Sequence, residues 1–174
     1  VITFREVRPT DMDAVSSLVN SAYRGDPSRA GWTTEADLLG GQRTDPATLT
    51  EELRTGTLVL VEDEGELVGC VRLDDGATHG HPDALYIGMV TVSPTRQGSG
   101  LGREILAESE LRASRMGKAA TIMTVISVRE ELIAWYARRG YSPTGEREAF
   151  PYGDERFGRP LRDDLEFVVL RKVL

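Results

Sequence analysis

Val92-Ser93-Pro94-Thr95-Arg96-Gln97-Gly98-Ser99-Gly100-Leu101-Gly102-Arg103 joins an apolar run to a helical pattern, and its reading decides the fold. A glycine-rich turn ahead of a helix leaves successive N–H groups without helical acceptors, at the positive end of the helix dipole. Such a turn binds phosphate, because glycine keeps side chains off the anion and reaches the φ values that an amide nest needs. Arg96 and Arg103 add positive charge locally. A strand-to-helix turn with no ligand is the plainer alternative. A Walker loop is excluded, since Arg103-Glu104 stands where Lys and a hydroxyl residue are required. A dinucleotide-binding turn needs a glycine at position 103 and an acid ~20 residues on, near the first strand of its domain. This turn has Arg103, then the Lys118 region, and follows the fourth strand.

Upstream of the turn, Ala84-Leu85-Tyr86-Ile87-Gly88-Met89-Val90-Thr91-Val92 is apolar on both faces and reads as a central strand. Gly88 within it marks a bulge or a close approach to the backbone. Before it, residues 57–62 and 67–73 flank Asp63-Glu64-Gly65-Glu66 as an antiparallel hairpin. Ile2, Phe4 and Val7 mark a first strand, and Thr10-Asp11-Met12-Asp13 caps an amphipathic helix carrying Val15, Leu18 and Val19. Between 23 and 46 lies a polar connection with a helical island at 35–39, and 48–54 reads as another helix. Downstream, the pattern predicts a helix over 102–116, a strand over 119–128, a helix over 129–139, a strand from Tyr141, a long loop over 150–163 and a last strand over 165–170. Interleaved helices and strands with hairpins at both ends give an α/β fold with a mixed sheet.

The chain has 174 residues, and at roughly 150 per domain this predicts a single domain over 1–174. Its 28 Asp and Glu outnumber 21 Lys and Arg, a net charge of −7 that repels polyanions, so no nucleic-acid partner is expected. One cysteine, Cys70, forms no internal disulfide, and with only two histidines no metal site is expected; a reducing, cytoplasmic setting fits. No apolar run approaches the ~20 residues that span a bilayer, so no membrane partner is expected.

The glycine turn resembles the acetyl-CoA signature of the GCN5-related N-acetyltransferases, Gln/Arg-x-x-Gly-x-Gly/Ala after a strand ending in Val-x-Pro. A second family signature, an aromatic-Tyr-x-x-x-Gly-Phe/Tyr helix end, is matched by Trp135-Tyr136-Ala137-Arg138-Arg139-Gly140-Tyr141. The two stand in the family's order and separation, and the flanking pattern extends the resemblance over nearly the whole chain. It implies the acyl-CoA N-acyltransferase fold: a mixed, mostly antiparallel twisted sheet of about six to seven strands flanked by helices, with a splayed central strand pair. It implies an acyltransferase moving acetyl from acetyl-CoA to a primary amine by direct attack on the thioester, without metal. Pantetheine would pair with main-chain groups of Val90, Thr91 and Val92, and the diphosphate would sit on amides within Gln97, Gly98, Ser99, Gly100, Leu101, Gly102 and Arg103. Gly88 is the candidate bulge. The family often forms dimers, so a homodimer is one assembly it implies.

Acyl transfer needs orientation, a donor for the oxyanion, a sink for the amine proton and a proton for the departing thiolate. A strand N–H near Val90 would polarise the thioester carbonyl. Tyr136 matches the family position that often protonates the thiolate, and an ordinary pKa near 10 against ~8.5 for a thiol makes the transfer feasible. Its alternative role is a packing aromatic. Trp135 reads as core. Some family members carry a base glutamate at the position of Thr124 and an asparagine at that of Arg129; neither is present here. Glu35, Asp37, Asp154 and Glu155 remain as loop carboxylates that could approach the acceptor, with solvated charges as the alternative. His79 and His81 read as surface residues and Cys70 as a small core residue.

Acceptor specificity is expected from residues 23–45, with Trp32, and 150–163, with Tyr152 and Phe157. Their aromatic and acidic groups suit a cationic amine on a small organic body, a small amine or amino-acid-like molecule. The other functional class is a non-catalytic acyl-CoA sensor or interaction module with the same fold.

Overall fold

A computed structural model gives the fold; it describes residues 1–174 except the side chain of Phe157, so that aromatic lies outside the described residues. In chain order the elements are β1 (Ile2–Glu6), α1 (Met12–Tyr23), α2 (Gly25–Ser28), β2 (Leu39–Gly40), α3 (Pro46–Glu52), β3 (Thr57–Asp63) and β4 (Glu66–Asp75). They continue with β5 (Ala84–Val92), α4 (Leu101–Arg115), β6 (Ala120–Ile126), α5 (Glu130–Ala137), β7 (Ser142–Ala149), β8 (Arg159–Pro160) and β9 (Glu166–Val173). Seven strands form one sheet in the order β1-β3-β4-β5-β6-β9-β7, with β5 in the centre. The β5–β6 pair is parallel and the other pairs in this sheet are antiparallel.

Alternation along the strands feeds two cores. Leu58, Leu60, Cys70 and Met89 pack with Val15 and Val19 of α1 and Leu49 of α3. Val59, Val61, Val71, Leu85 and Ile87 pack with Leu101, Ile105 and Leu106 of α4 and Tyr136 of α5. Cover on both faces is the reason the central strands read as continuous apolar runs. Each such aliphatic side chain, fully removed from water, contributes about 1.5–3 kcal/mol.

Three local expectations differ from the structure. The N-cap position of α1 is Asp11 instead of Thr10, and its side chain does not cap the helix: Oδ2 accepts from Arg8 N–H at 2.7 Å, closing the short turn at Pro9–Asp11 that precedes it. Residues 35–39 form no helical island: Leu39 and Gly40 extend and pair antiparallel with Pro160 and Arg159, tying the 23–45 segment to the 150–163 segment. The bulge falls after Gly88. Cys70 pairs with Thr91 and Arg72 with Gly88, so Val71 alone faces both Met89 and Val90. Met89 absorbs the extra residue at φ +49, and the Thr91 hydroxyl donates to its carbonyl at 3.0 Å. Gly88 serves a different need, because a Cβ there would stand 2.8 Å from the Tyr86 ring.

A bulge bends its strand. β5 and β6 pair only at Ala84–Ala120, Leu85–Thr121 and Tyr86–Ile122, and beyond Tyr86 the two strands diverge into a fork.

Candidate active site

The fork holds two chambers that meet at Tyr136. The larger, about 430 Å³, is lined by Val90, Val92, the turn residues Gln97, Gly98, Ser99, Gly100, Gly102 and Arg103, and by Trp32, Trp135 and Arg139. The smaller, about 240 Å³, lies among Tyr86, Thr124, Phe150 and Phe167, with a charged rim. Tyr23, Val90, Arg129, Leu132 and Tyr136 line both.

Alternation on β5 turns the main chain of Val90 and Val92 toward the fork, where Tyr23 Oη donates to the Val90 carbonyl at 2.8 Å and Gln97 Nε2 to that of Val92 at 3.4 Å. Thr91 faces the other way: its main chain pairs with Cys70, its side chain is buried, and it does not line the fork. Gln97 is also a tether, since its Oε1 accepts from Trp32 N–H at 3.0 Å.

At the head of α4, Ser99 N–H donates to Arg96 and Arg103 N–H to Gly100. The N–H groups of Gly98, Gly100, Leu101 and Gly102 have no partner among the described residues. Gly98 and Gly100 stand at φ +82 and +92, and a Cβ on either would project into open space. Open amides with no side chain over them can hold an anion on a clear floor. Leu101 contributes only its amide, its side chain being in the core. Gly102 meets a separate demand, because a Cβ there would come within 3.2 Å of the Trp135 ring. Trp135 therefore belongs to the cleft wall as well as to the core: Arg139 lies over its ring at 3.7 Å and Trp32 at 6.2 Å. Arg96 does not add free charge to the turn, since its Nη2 is bonded to Asp63.

Tyr136 is buried between the chambers, and its hydroxyl has no hydrogen-bond partner among the described residues. Burial raises its pKa well above the ordinary value near 10 assumed from sequence, so the phenol stays protonated and is a weaker acid than expected. Burial likewise pushes Tyr23 up to about 12 and Cys70, in the core, up to about 12. Tyr86 is also raised by burial, and its hydroxyl lies 2.9 Å from Thr124 Oγ1 across the smaller chamber.

No loop carboxylate stands as a ready base. Glu35, read from sequence as a candidate near the acceptor or a solvated loop charge, is buried between two guanidiniums: Oε2 accepts from Arg129 Nη1 at 2.8 Å and Oε1 lies 3.2 Å from Arg24 Nη2. Arg129 also donates to Thr33 Oγ1 at 2.7 Å. Asp37 is exposed and paired with Arg29 at 2.7 Å, Asp154 reaches the chamber rim but is paired with Arg156 at 2.6 Å, and Glu155 lines neither chamber. The histidines are partly covered, with His79 Nδ1 2.7 Å from Glu148 and His81 Nε2 2.6 Å from Glu146. Among the described residues no group of three or more His, Cys, Asp or Glu could hold a metal ion, and no helix is long and apolar enough to cross a membrane. Tyr152 braces its own loop, donating to the Arg162 carbonyl at 2.9 Å.

Tyr23, Arg24 and Arg43 fall within the 23–45 segment expected at the acceptor side but were not singled out there, and Arg129 was noted only for the asparagine it replaces. The absent family asparagine at position 129 was the signal that could have found the last of these.

The fold is that of known acetyltransferases. The ribosomal-protein-alanine N-acetyltransferase of Brucella melitensis superposes with a TM-score of 0.71 at 18% identity over 99% of each chain. The IAA acetyltransferase of Bacillus cereus gives 0.69 at 14% over 100% of each. A GNAT family acetyltransferase from Elizabethkingia anophelis, with acetyl-CoA bound, gives 0.64 at 17% over 99% of this chain and 98% of that one. No curated protein matches the sequence. The sequence model of the acetyltransferase (GNAT) family matches residues 14–141, which include the bulged strand, the glycine turn and Tyr136. The chain belongs to the acetyltransferase (GNAT) family and is an acyltransferase.

Proposed function

We propose that the protein, as one domain, transfers acetyl from acetyl-CoA to the amine of a small acceptor, amino-acid-like in kind, by direct attack on the thioester. The observation that carries this reading is the fork, with four unpartnered amides at its head and a protonated phenol where its two chambers meet. The diphosphate rests on the amides of Gly98, Gly100, Leu101 and Gly102, with Arg103 beside them, and pantetheine runs along Val90 and Val92. The acceptor enters from the smaller chamber. Its nitrogen forms the new bond to the carbonyl carbon, the carbon–sulfur bond breaks, and the amine proton leaves through water past Thr124 and Tyr86, since every carboxylate near the site is already paired. The Val90 N–H stabilises charge on the carbonyl oxygen. Tyr136 donates to the departing sulfur; its raised pKa makes it a hydrogen-bond donor first and a full proton donor only to a strongly basic thiolate. A single buried thiol in Cys70 accords with a reducing, cytoplasmic setting.

The pairing of every nearby carboxylate also favours a second reading, an acyl-CoA sensor with no turnover. Thiol release from acetyl-CoA across an amine panel decides between them. Acceleration by an amine, weakened in Tyr136→Phe, supports transfer; tight coenzyme binding with no amine-dependent release supports the sensor.

A further inference from the structure

The turn that carries the four open amides adjoins a second hollow on its outer side. This groove, about 490 Å³, lies along α4 between Gly100 and Lys172, and it shares Gly100, Arg103 and Arg139 with the larger chamber. Its charged groups divide unevenly. Glu110 is taken: both its oxygens lie 3.0 Å from Lys172 Nζ, and Oε1 also accepts from Tyr141 Oη at 3.1 Å. Glu104, the other carboxylate in the groove, is exposed and makes no ion pair among the described residues. Neither Arg103 nor Arg139 is ion-paired among the described residues either. The two guanidiniums are near enough to repel: burial first, then Arg138 and Arg103, lower the pKa of Arg139, and no carboxylate raises it.

Arg139 is nevertheless fixed in place. Its Nη1 donates to the Trp135 carbonyl at 2.7 Å, and its guanidinium lies 3.7 Å over the Trp135 ring. Its Nε is buried without a hydrogen-bond partner among the described residues. Like charges held together with no carboxylate between them repel in the empty protein, and a phosphate that meets a guanidinium fork relieves that repulsion. The donor path supplies one. A donor whose acyl sulfur lies near Tyr136 and whose diphosphate rests on the turn directs its nucleoside end out of the fork, over this groove, and coenzyme A carries a third phosphate there, on the ribose 3′ oxygen.

We propose that Arg139, with Arg103 beside it, binds the ribose 3′-phosphate of the donor, and that this pair makes the protein selective for coenzyme A over 3′-dephospho-coenzyme A. The inference rests on the transfer reading above and adds what the open amides cannot supply, since they meet a diphosphate that both molecules share. The chain's net charge of −7 disfavours any extra negative charge on a ligand, so a preference for the more anionic molecule reports a local cationic site.

The test is titration calorimetry of the whole chain with coenzyme A and with 3′-dephospho-coenzyme A. The wild type is expected to bind coenzyme A about tenfold to a hundredfold more tightly, the scale of one hydrogen bond between charged groups. Arg139→Gln and Arg103→Gln should each shrink that ratio, mainly by weakening coenzyme A, and the double variant should bring it toward one. Arg139→Lys should keep part of it, retaining the charge without the fork. Should Arg139→Gln fail to fold for want of its stack on Trp135, Arg103→Gln at its exposed position decides alone. Equal wild-type affinities, a preference that survives the arginine substitutions, or variants that weaken both molecules equally would overturn the proposal, and amine-driven thiol release from acetyl-CoA would show that acetyl transfer stands without it. An arginine-dependent preference with no amine-driven release would support the phosphate site and overturn the transfer reading. Binding of neither molecule would overturn both.

Discussion

Replacing Gly100 by alanine separates what the turn does for the fold from what it does for the ligand. Gly100 stands at φ +92 with nothing within 4 Å of an added Cβ, so the substitution meets no clash and its cost to folding is conformational. That cost is about 1–2 kcal/mol. Gly117, just beyond the other end of α4, offers a matched control, with φ +76 and equally open space but no place in the cleft. Gly100→Ala and Gly117→Ala should therefore melt lower by similar amounts, roughly 2–4 °C per kcal/mol for a chain of this size. Their coenzyme A affinities should part. The methyl at position 100 occupies the approach to amides that have no other partner, and losing one hydrogen bond to a charged phosphate is worth about 1.5–3 kcal/mol. At about 1.4 kcal/mol per decade that is a roughly 10- to 100-fold rise in dissociation constant by titration calorimetry, with Gly117→Ala at the wild-type value. Should Gly100→Ala bind coenzyme A as the wild type does, or Gly117→Ala weaken as much, the cradle assignment fails.

Tyr136→Phe should lower kcat about 100-fold with coenzyme affinity nearly unchanged, and, because burial raises the phenol's pKa, the wild-type rate should show no alkaline loss centred on the ordinary tyrosine value; a variant with full kcat removes Tyr136 from the chemistry. Glu35→Gln leaves Arg24 and Arg129 facing a neutral amide in a buried site and should cost about 3–5 kcal/mol in urea unfolding; a loss below about 1 kcal/mol would mean the group is solvated. Asp11 is held below the ordinary carboxylate range, first by its hydrogen bond from Arg5 and also by Arg8 N–H, so its contribution is present above its unfolded value near 4 and fades as pH falls through its lower folded value. Asp11→Asn should accordingly destabilise by about 1 kcal/mol at pH 7, with the gap to wild type narrowing in acid melts.

The parts of this molecule governed by local rules could be read before the coordinates. Strand β5 and helix α4 follow from apolar periodicity, and the open amides of the turn follow from main-chain chemistry that needs only glycines ahead of a helix. What could not be read is set by partners far away in sequence. Leu39 looks helical until Pro160, with Arg159 opposite Gly40, offers the pair an edge to join. Gly88 signals irregularity correctly yet misplaces it, because a glycine required by the Tyr86 ring looks the same in sequence as one required by a bulge, and the bulge itself fell on Met89. Glu35 and Arg129 carry charges that composition assigns to solvent; their burial rests on pairing with each other, 94 positions apart, and on the further partners Arg24 and Thr33. The smaller chamber, assembled from many elements at once, has no contiguous signature.

The early end of the β5–β6 ladder has one more consequence. A sheet normally exposes open edges only at its flanks, but this one also carries an unfinished seam at its middle, where Val90 and Val92 present main-chain groups to a gap. An extended pantetheine arm lying there would act as a surrogate strand, making the acyl donor a part of the native fold. By mass action a donor at a hundredfold excess over its dissociation constant adds about 2.7 kcal/mol to the folded state. Cellular supply of that donor would then govern the lifetime of the protein as well as its turnover.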